Sequence, residues 1–353
     1  VGLATPYVLL VALAGSLSKA SGANALLVQR AAALHWSSGL GWVARAYPPI
    51  PLALARLVPG GARSLAVLGA LCTGWLLQLT AERLFLRSIP PPTIALLTAS
   101  VALVPAFWFV ATTDLSTFAT LCFLSVALSG LLDFTFNRST QSGFIAGIGF
   151  GLATMCSLAA ASFALTGALA AFLVTPRSHA PREIARRRAA ATVVLFPSAA
   201  AVMGWGFLEW RFTGSWTRSF VLADPALATF GHRLWGSLGD SLATTARDLA
   251  FTPLLVVATI LLLVRRPWSS LAAASVVGCT VVDGWLGVGL GSPATVILLA
   301  AVSLVLVPES PSLYERLLLW SAGLLQVAMG FGGLSAGLPS VSHWLSHLFG
   351  GAG

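Results

Sequence analysis

Lysine is almost missing from this chain of 353 residues: Lys19 stands alone beside 19 arginines. Acids are scarce too, 11 in all, and charged residues make up 9% of the sequence, whereas a soluble domain carries about 25%. That deficit, with 57% hydrophobic residues, excludes an ordinary soluble globular domain. The four cysteines, Cys72, Cys122, Cys156 and Cys279, lie far apart inside apolar runs. No CxxC or other metal-ligand spacing exists among them, so they are expected to be small packing residues. There is no P-loop, no GxSxG and no HExxH, which removes local support for ATP-driven and protease chemistry. Val8 to Leu17 is apolar but no basic segment precedes it, so no cleavable signal is expected there.

What is present is apolar runs. A hydrocarbon core about 30 Å thick needs roughly 20 apolar residues per helix at about 1.5 Å rise each. About eleven runs of that kind, bounded by charge, Pro or Gly, fall near 3–18, 64–81, 93–110, 115–132, 143–157, 159–175, 189–208, 249–264, 269–287, 293–307 and 317–335. Gly143 to Val174 contains 32 uncharged residues, long for one span and short for two, and is read as two short spans turning near Ser157. The expectation is an all-α, polytopic transmembrane bundle forming one membrane domain over 1–353. Gly143, Gly147 and Gly151 repeat every four residues, the spacing that lets helix backbones approach closely.

The formal net charge of +9 points to anionic lipid or lipid-phosphate neighbours. Nucleic acid is not an expected partner: the longest basic cluster, Arg186-Arg187-Arg188, sits between apolar runs and not on a solvated stripe. Cytoplasmic loops are enriched in Lys and Arg, and 176–188 carries five Arg against Glu183 alone, so that segment is assigned to the cytoplasm. Counting spans from there puts Arg83, Arg87, Arg138, Arg265 and Arg266 on the same side, with a cytoplasmic N-terminus. The loops 19–63 and 209–248, with Asp114, fall on the outer face.

The first outer loop breaks the charge rule, since Lys19, Arg30, Arg45, Arg56 and Arg63 occur there without a single acid. Ala25–Trp36 and Pro51–Val58 are apolar enough to lie flat as interfacial helices, with Trp36, Trp42 and Tyr47 at headgroup depth. Two readings stay open for the arginines: they snorkel to lipid phosphates, or they recognise one phosphate-bearing lipid.

The phrase Arg45-Ala46-Tyr47-Pro48-Pro49-Ile50-Pro51, followed by a short apolar helix, Pro59-Gly60-Gly61 and a span, is more particular than composition. It resembles polyprenyl-phosphate-sugar-dependent glycosyltransferases of the GT-C fold, especially actinobacterial mannosyl- or arabinosyltransferase-like members. Thr113-Asp114-Leu115 looks like that family's outer-face Ser/Thr-Asp, Gly143–Met155 like its packed middle helices, and Trp210-Arg211-Phe212-Thr213-Gly214-Ser215 like its Trp-x-x-x-Gly-Asp-Pro step. The likeness covers about residues 1–265. It implies a bacterial inner-membrane enzyme that takes a sugar from a polyprenyl phosphate at the outer face. Arg45, Tyr47, Arg56 and Arg63 would then contact the donor phosphate or lipid, and Asp114 would be the remaining candidate base or metal ligand. The resemblance also implies an acid in the first outer loop that acts as base on the acceptor hydroxyl or helps hold a divalent metal near the donor phosphate. That loop contains no acid, and Gly214-Ser215-Trp216 replaces Gly-Asp-Pro. The alternative is therefore a catalytically degenerate relative serving as an accessory subunit of a membrane complex.

Other polar residues receive blander expectations. Asp114 doubles as a helix cap for Leu115 onward. Asp224, Asp240 and Asp248, with Arg218, His232 and Arg233, are expected to balance charge in water, the alternative being a base or metal site assembled across loops. Asp283, inside Leu271–Leu290, is expected to make an internal polar contact or to sit in a loop between two shorter spans, with ion transport ranked third because intramembrane charges are so few. His343 and His347 are four apart, a spacing able to bind zinc, but no carboxylate is near in sequence. An amphipathic interfacial tail with Trp344, Leu345 and Phe349 is the favoured reading.

Overall fold

The computed structural model describes residues 2–13, 22–34, 42, 45–137, 139–174, 182–223, 238–265, 270–287, 289–333 and 337–349. Regular structure among them is all helical, as expected. In order come α1 (Thr5–Leu13), α2 (Ala23–Ala32), α3 (Pro49–Leu57), α4 (Gly61–Leu86), α5 (Pro91–Ala102), α6 (Pro105–Thr113), α7 (Leu115–Asn137), α8 (Thr140–Cys156), α9 (Ala160–Val174) and α10 (Arg182–Thr213). Then follow α11 (Arg218–Ala223), α12 (Leu238–Ala250), α13 (Pro253–Arg265), α14 (Ser270–Leu286), α15 (Ser292–Val305), α16 (Leu313–Gly332) and α17 (Pro339–Phe349).

Three helices, α4, α7 and α10, are long and apolar enough to cross a membrane, or up to five spans result if each bent pair is one. The pairs are α5 with α6, meeting at 62°, and α12 with α13, meeting at 88°. Both second helices open on a proline, Pro105 and Pro253, which lacks the amide and clashes with the preceding turn. The expected run 93–110 is thus broken inside, and α1, α9, α14 and α15 are apolar but shorter than a full span. Length alone therefore returns fewer crossings than the eleven runs in the sequence. The expected turn at Ser157 is present: α8 ends at Cys156, and the extended Ser157 leads to α9 at Ala160.

Small residues set the packing. A Cβ on Gly149 would lie 3.0 Å from the Ala127 Cβ of α7, and one on Gly151 would lie 2.9 Å from the Pro197 Cβ of α10. One on Gly147 would sit inside contact distance of the Val193 carbonyl oxygen. The Gly147 and Gly151 face of α8 therefore seats α10, while Gly143 meets the Phe134 ring of α7. Phe107, Phe118 and Phe150 are fully buried between these helices, and Phe107 meets Phe118 edge-on at 5.5 Å.

Three arginines, Arg83, Arg87 and Arg265, meet at one end of the bundle. Arg83 pairs with Asp133 of α7, and the Arg87 guanidinium donates to the Val307 carbonyl at 3.1 Å. Arg265 donates to Glu315 at 3.0 Å and to the Glu309 carbonyl at 2.7 Å, while Ser310 N donates to the Arg87 carbonyl. Arg83, Arg87 and Arg265 thus share an end, as expected; Arg138 and Arg266 lie outside the described residues. The α6–α7 junction at Asp114 and the α8–α9 turn at Ser157 lie at the opposite end.

Candidate functional site

At that opposite end α6 stops after Thr113 and α7 starts at Leu115, leaving Asp114 extended between them. Its Oδ1 accepts from Thr117 N at 3.0 Å and its Oδ2 from Thr117 Oγ1 at 2.7 Å, so it caps α7. Asn24, at the start of α2, secures the same break by accepting from Leu115 N at 2.9 Å. Across from it lies α17, whose Trp344 is buried against Phe109 with ring centroids 5.8 Å apart. Between them is a cavity of about 430 Å³ lined by Asn24, Thr113, Asp114, Ser340, His343 and His347. The His343 and His347 Nε2 atoms approach to 3.1 Å. This juxtaposition was out of reach of the sequence, because more than two hundred residues separate Asp114 from the histidines.

A second, apolar cleft of about 1140 Å³ runs beside it, walled by α1, α4, α5 and α6 through residues such as Leu10, Leu77, Phe85, Ala95 and Trp108. The two spaces are neighbours. Val11 lines the cavity and Leu10 the cleft, Phe109 the cavity and Trp108 the cleft. The helix α17 borders both, with its histidines on the polar side and Phe349 on the apolar one.

The first outer loop departs from its expected role at Tyr47. Tyr47 is 2% exposed and packs inside the protein: its hydroxyl donates to the Thr154 carbonyl at 2.6 Å, and its ring meets Phe220 at 4.7 Å. Arg30 donates to the Tyr47 carbonyl at 2.7 Å. Thr154 lies in the last turn of α8, whose carbonyls have no helical partner, so Tyr47 satisfies an orphan acceptor and clamps the loop to the bundle. Burial pushes its phenol pKa well up. We expect Tyr47→Phe to lower stability by about 1–3 kcal/mol, because the buried Thr154 carbonyl loses its donor. A thermal unfolding comparison in detergent checks this. Arg45, Arg56 and Arg63 are exposed, and none lines the Asp114 cavity among the described residues. Helices α2 and α3 occupy the segments read as interfacial; Trp36 lies outside the described residues.

One acid differs from its expected setting. Asp248 is buried, not water-facing: it accepts from Ser292 Oγ and lies 3.9 Å from Arg247 Nε. It shares a cavity of about 300 Å³ with Asp240, which is exposed, and Asp283. Asp283 makes the expected internal polar contact, accepting from Ser162 Oγ at 2.8 Å. Asp224, His232 and Arg233 lie outside the described residues. Glu209, unremarked in the sequence because it adjoins Trp210 in a mixed helix end, is buried and accepts from Ser219 Oγ at 2.7 Å. It holds α11 against the end of α10. The Trp210–Ser215 step is a helix stop, with Gly214 at φ +75° and Trp210 stacked on Trp216 at 5.7 Å.

Among the described residues no three His, Cys, Asp or Glu side chains converge closely enough to hold a metal ion. A divalent metal beside a first-loop acid, one of the two roles the resemblance implies for such an acid, therefore finds no matching donor set among the described residues. Comparison with family models, curated proteins and solved structures returns no match, so the functional reading rests on this chain's own residues.

Proposed function

We propose that the chain is a polytopic membrane glycosyltransferase of GT-C-like fold, resident in a bacterial inner membrane with a cytoplasmic N-terminus and about eleven crossings. Several of these are short or broken. The observation that carries the reading is the adjacency of a long apolar cleft and a polar cavity bearing a carboxylate. A polyprenyl phosphate has that division, an apolar chain joined to a charged head. The chain would lie in the α1–α4–α5 cleft and the sugar phosphate in the Asp114 cavity. Asp114 would accept the acceptor hydroxyl's proton as its oxygen attacks the anomeric carbon. The polyprenyl phosphate would leave with the bonding electrons. Exposed Arg45, Arg56 and Arg63 would meet lipid phosphates around the entrance, and buried Tyr47 would position their loop.

One observation favours the second reading, an accessory subunit without catalysis: both Asp114 oxygens already serve Thr117. Native mass spectrometry of the protein released from its own membranes separates the two. A retained polyprenyl phosphate or its sugar adduct supports the transferase; a stoichiometric protein partner without that lipid supports the subunit. Ala95→Trp, which fills the cleft from α5, is expected to remove most of the retained lipid while leaving the protein folded. Unchanged lipid occupancy in that variant would refute the cleft as the chain's seat.

A further inference from the structure

We infer that His343 and His347 form a binding site for a borderline divalent transition metal, of the Zn²⁺ or Ni²⁺ class, at the wall of the Asp114 cavity. Helix α17 puts the two imidazoles one turn apart on one face. Their Nε2 atoms face each other at 3.1 Å, with ring centroids 4.3 Å apart and planes inclined at 70°. Two nitrogens bonded at about 2.0–2.1 Å to one tetrahedral zinc lie roughly 3.3–3.4 Å apart. The contact is a hydrogen bond between the two rings; losing its proton and turning the rings so that both nitrogens point at one ion would bring the pair to that spacing.

The opposite face of α17 fixes this disposition. Val341, Trp344 and Leu345 are buried, with Trp344 seated on Phe109, so the helix is anchored and its histidines need little ordering to bind an ion. Both histidines are exposed, which gives an ion a path of entry. Imidazole nitrogen selects zinc, nickel and copper over magnesium and calcium, which take oxygen donors. Because no third protein ligand converges on the same point among the described residues, water or another exogenous oxygen completes the coordination. Asp114 lines the same cavity, with both its oxygens held by Thr117. The four cysteines offer no competing site of this kind: three are buried and Cys72 is half-buried.

The site stands apart from the transferase reading, and its test measures metal binding directly. The full chain, purified in detergent without a polyhistidine tag, is titrated with ZnCl₂, NiCl₂ and MgCl₂ by calorimetry. One saturable equivalent of Zn²⁺ or Ni²⁺ is expected, with no saturable Mg²⁺ heat. His343→Ala and His347→Ala should each weaken the transition-metal affinity at least tenfold. Both positions are exposed, so thermal unfolding of the variants should match the parent. A parent that binds Zn²⁺ and Ni²⁺ no better than the His343→Ala/His347→Ala double variant would overturn the assignment.

Discussion

Asp114→Asn is expected to reduce sugar transfer by about 10²–10⁴-fold, the usual contribution of a positioned base, while leaving the protein folded. The isostere keeps an oxygen to accept from Thr117 N, and the Thr117 hydroxyl can rotate to accept from the new amide, so α7 stays capped. Asn and Asp are near equals as helix caps. Asp114→Ala should abolish transfer equally but also lower stability by about 1 kcal/mol, because the cap is lost. The measurement is turnover of a polyprenyl-phosphate-linked sugar alongside thermal unfolding of each variant. Full turnover in the folded Asn variant would remove Asp114 as base and leave the accessory-subunit reading.

Gly69→Ala carries the largest structural effect. A Cβ there would sit inside contact distance of the Ala111 carbonyl oxygen, a backbone atom that cannot rotate away. Either α4 and α6 separate or α6 shifts along its axis. The destabilisation should be on the order of 3 kcal/mol, at the upper end for overpacking a close contact. Because α6 ends at Thr113, the same shift displaces Asp114, so activity should fall even in protein that remains folded. Gly204→Ala in α10 is the control: nothing lies within 4 Å of its added Cβ, and that change should be neutral or stabilise by up to about 1 kcal/mol. Equal unfolding temperatures for the two variants would contradict the close α4–α6 approach.

Several features were legible because they depend on local pattern. The scarcity of charge and the length of the apolar runs mark a helical membrane chain, since a backbone in hydrocarbon must satisfy its own hydrogen bonds. The four-residue glycine spacing of α8 predicted a close helix contact, and α10 and α7 supply it. Arginine placement predicted that Arg83, Arg87 and Arg265 share one end, because alternating helices return every second loop to the same side. Asp114 as a cap followed from its place before Leu115.

The rest depended on distance in the chain. Whether an apolar run is one straight helix or two at an angle is decided by what the turn before a proline packs against, so 93–110 looked like one span and is a pair bent at 62°. Tyr47 has an amphipathic ring that suits a headgroup layer or a buried socket equally well; the orphan carbonyl of Thr154, 107 residues away, selected the socket. Asp248 sits in a polar stretch of sequence, yet the packing of α12 on α14 and α15 buries it with Asp283.

The sequence by itself determined the helical class, the long apolar runs and the shared end of Arg83, Arg87 and Arg265, because hydrophobic run length and charge position act locally. Only tertiary structure decided which acids are buried, that Asp114 and the two C-terminal histidines line one cavity, and that an apolar cleft lies beside it. Those outcomes rest on which helix faces meet, a choice made by small-residue contacts between segments far apart in the chain.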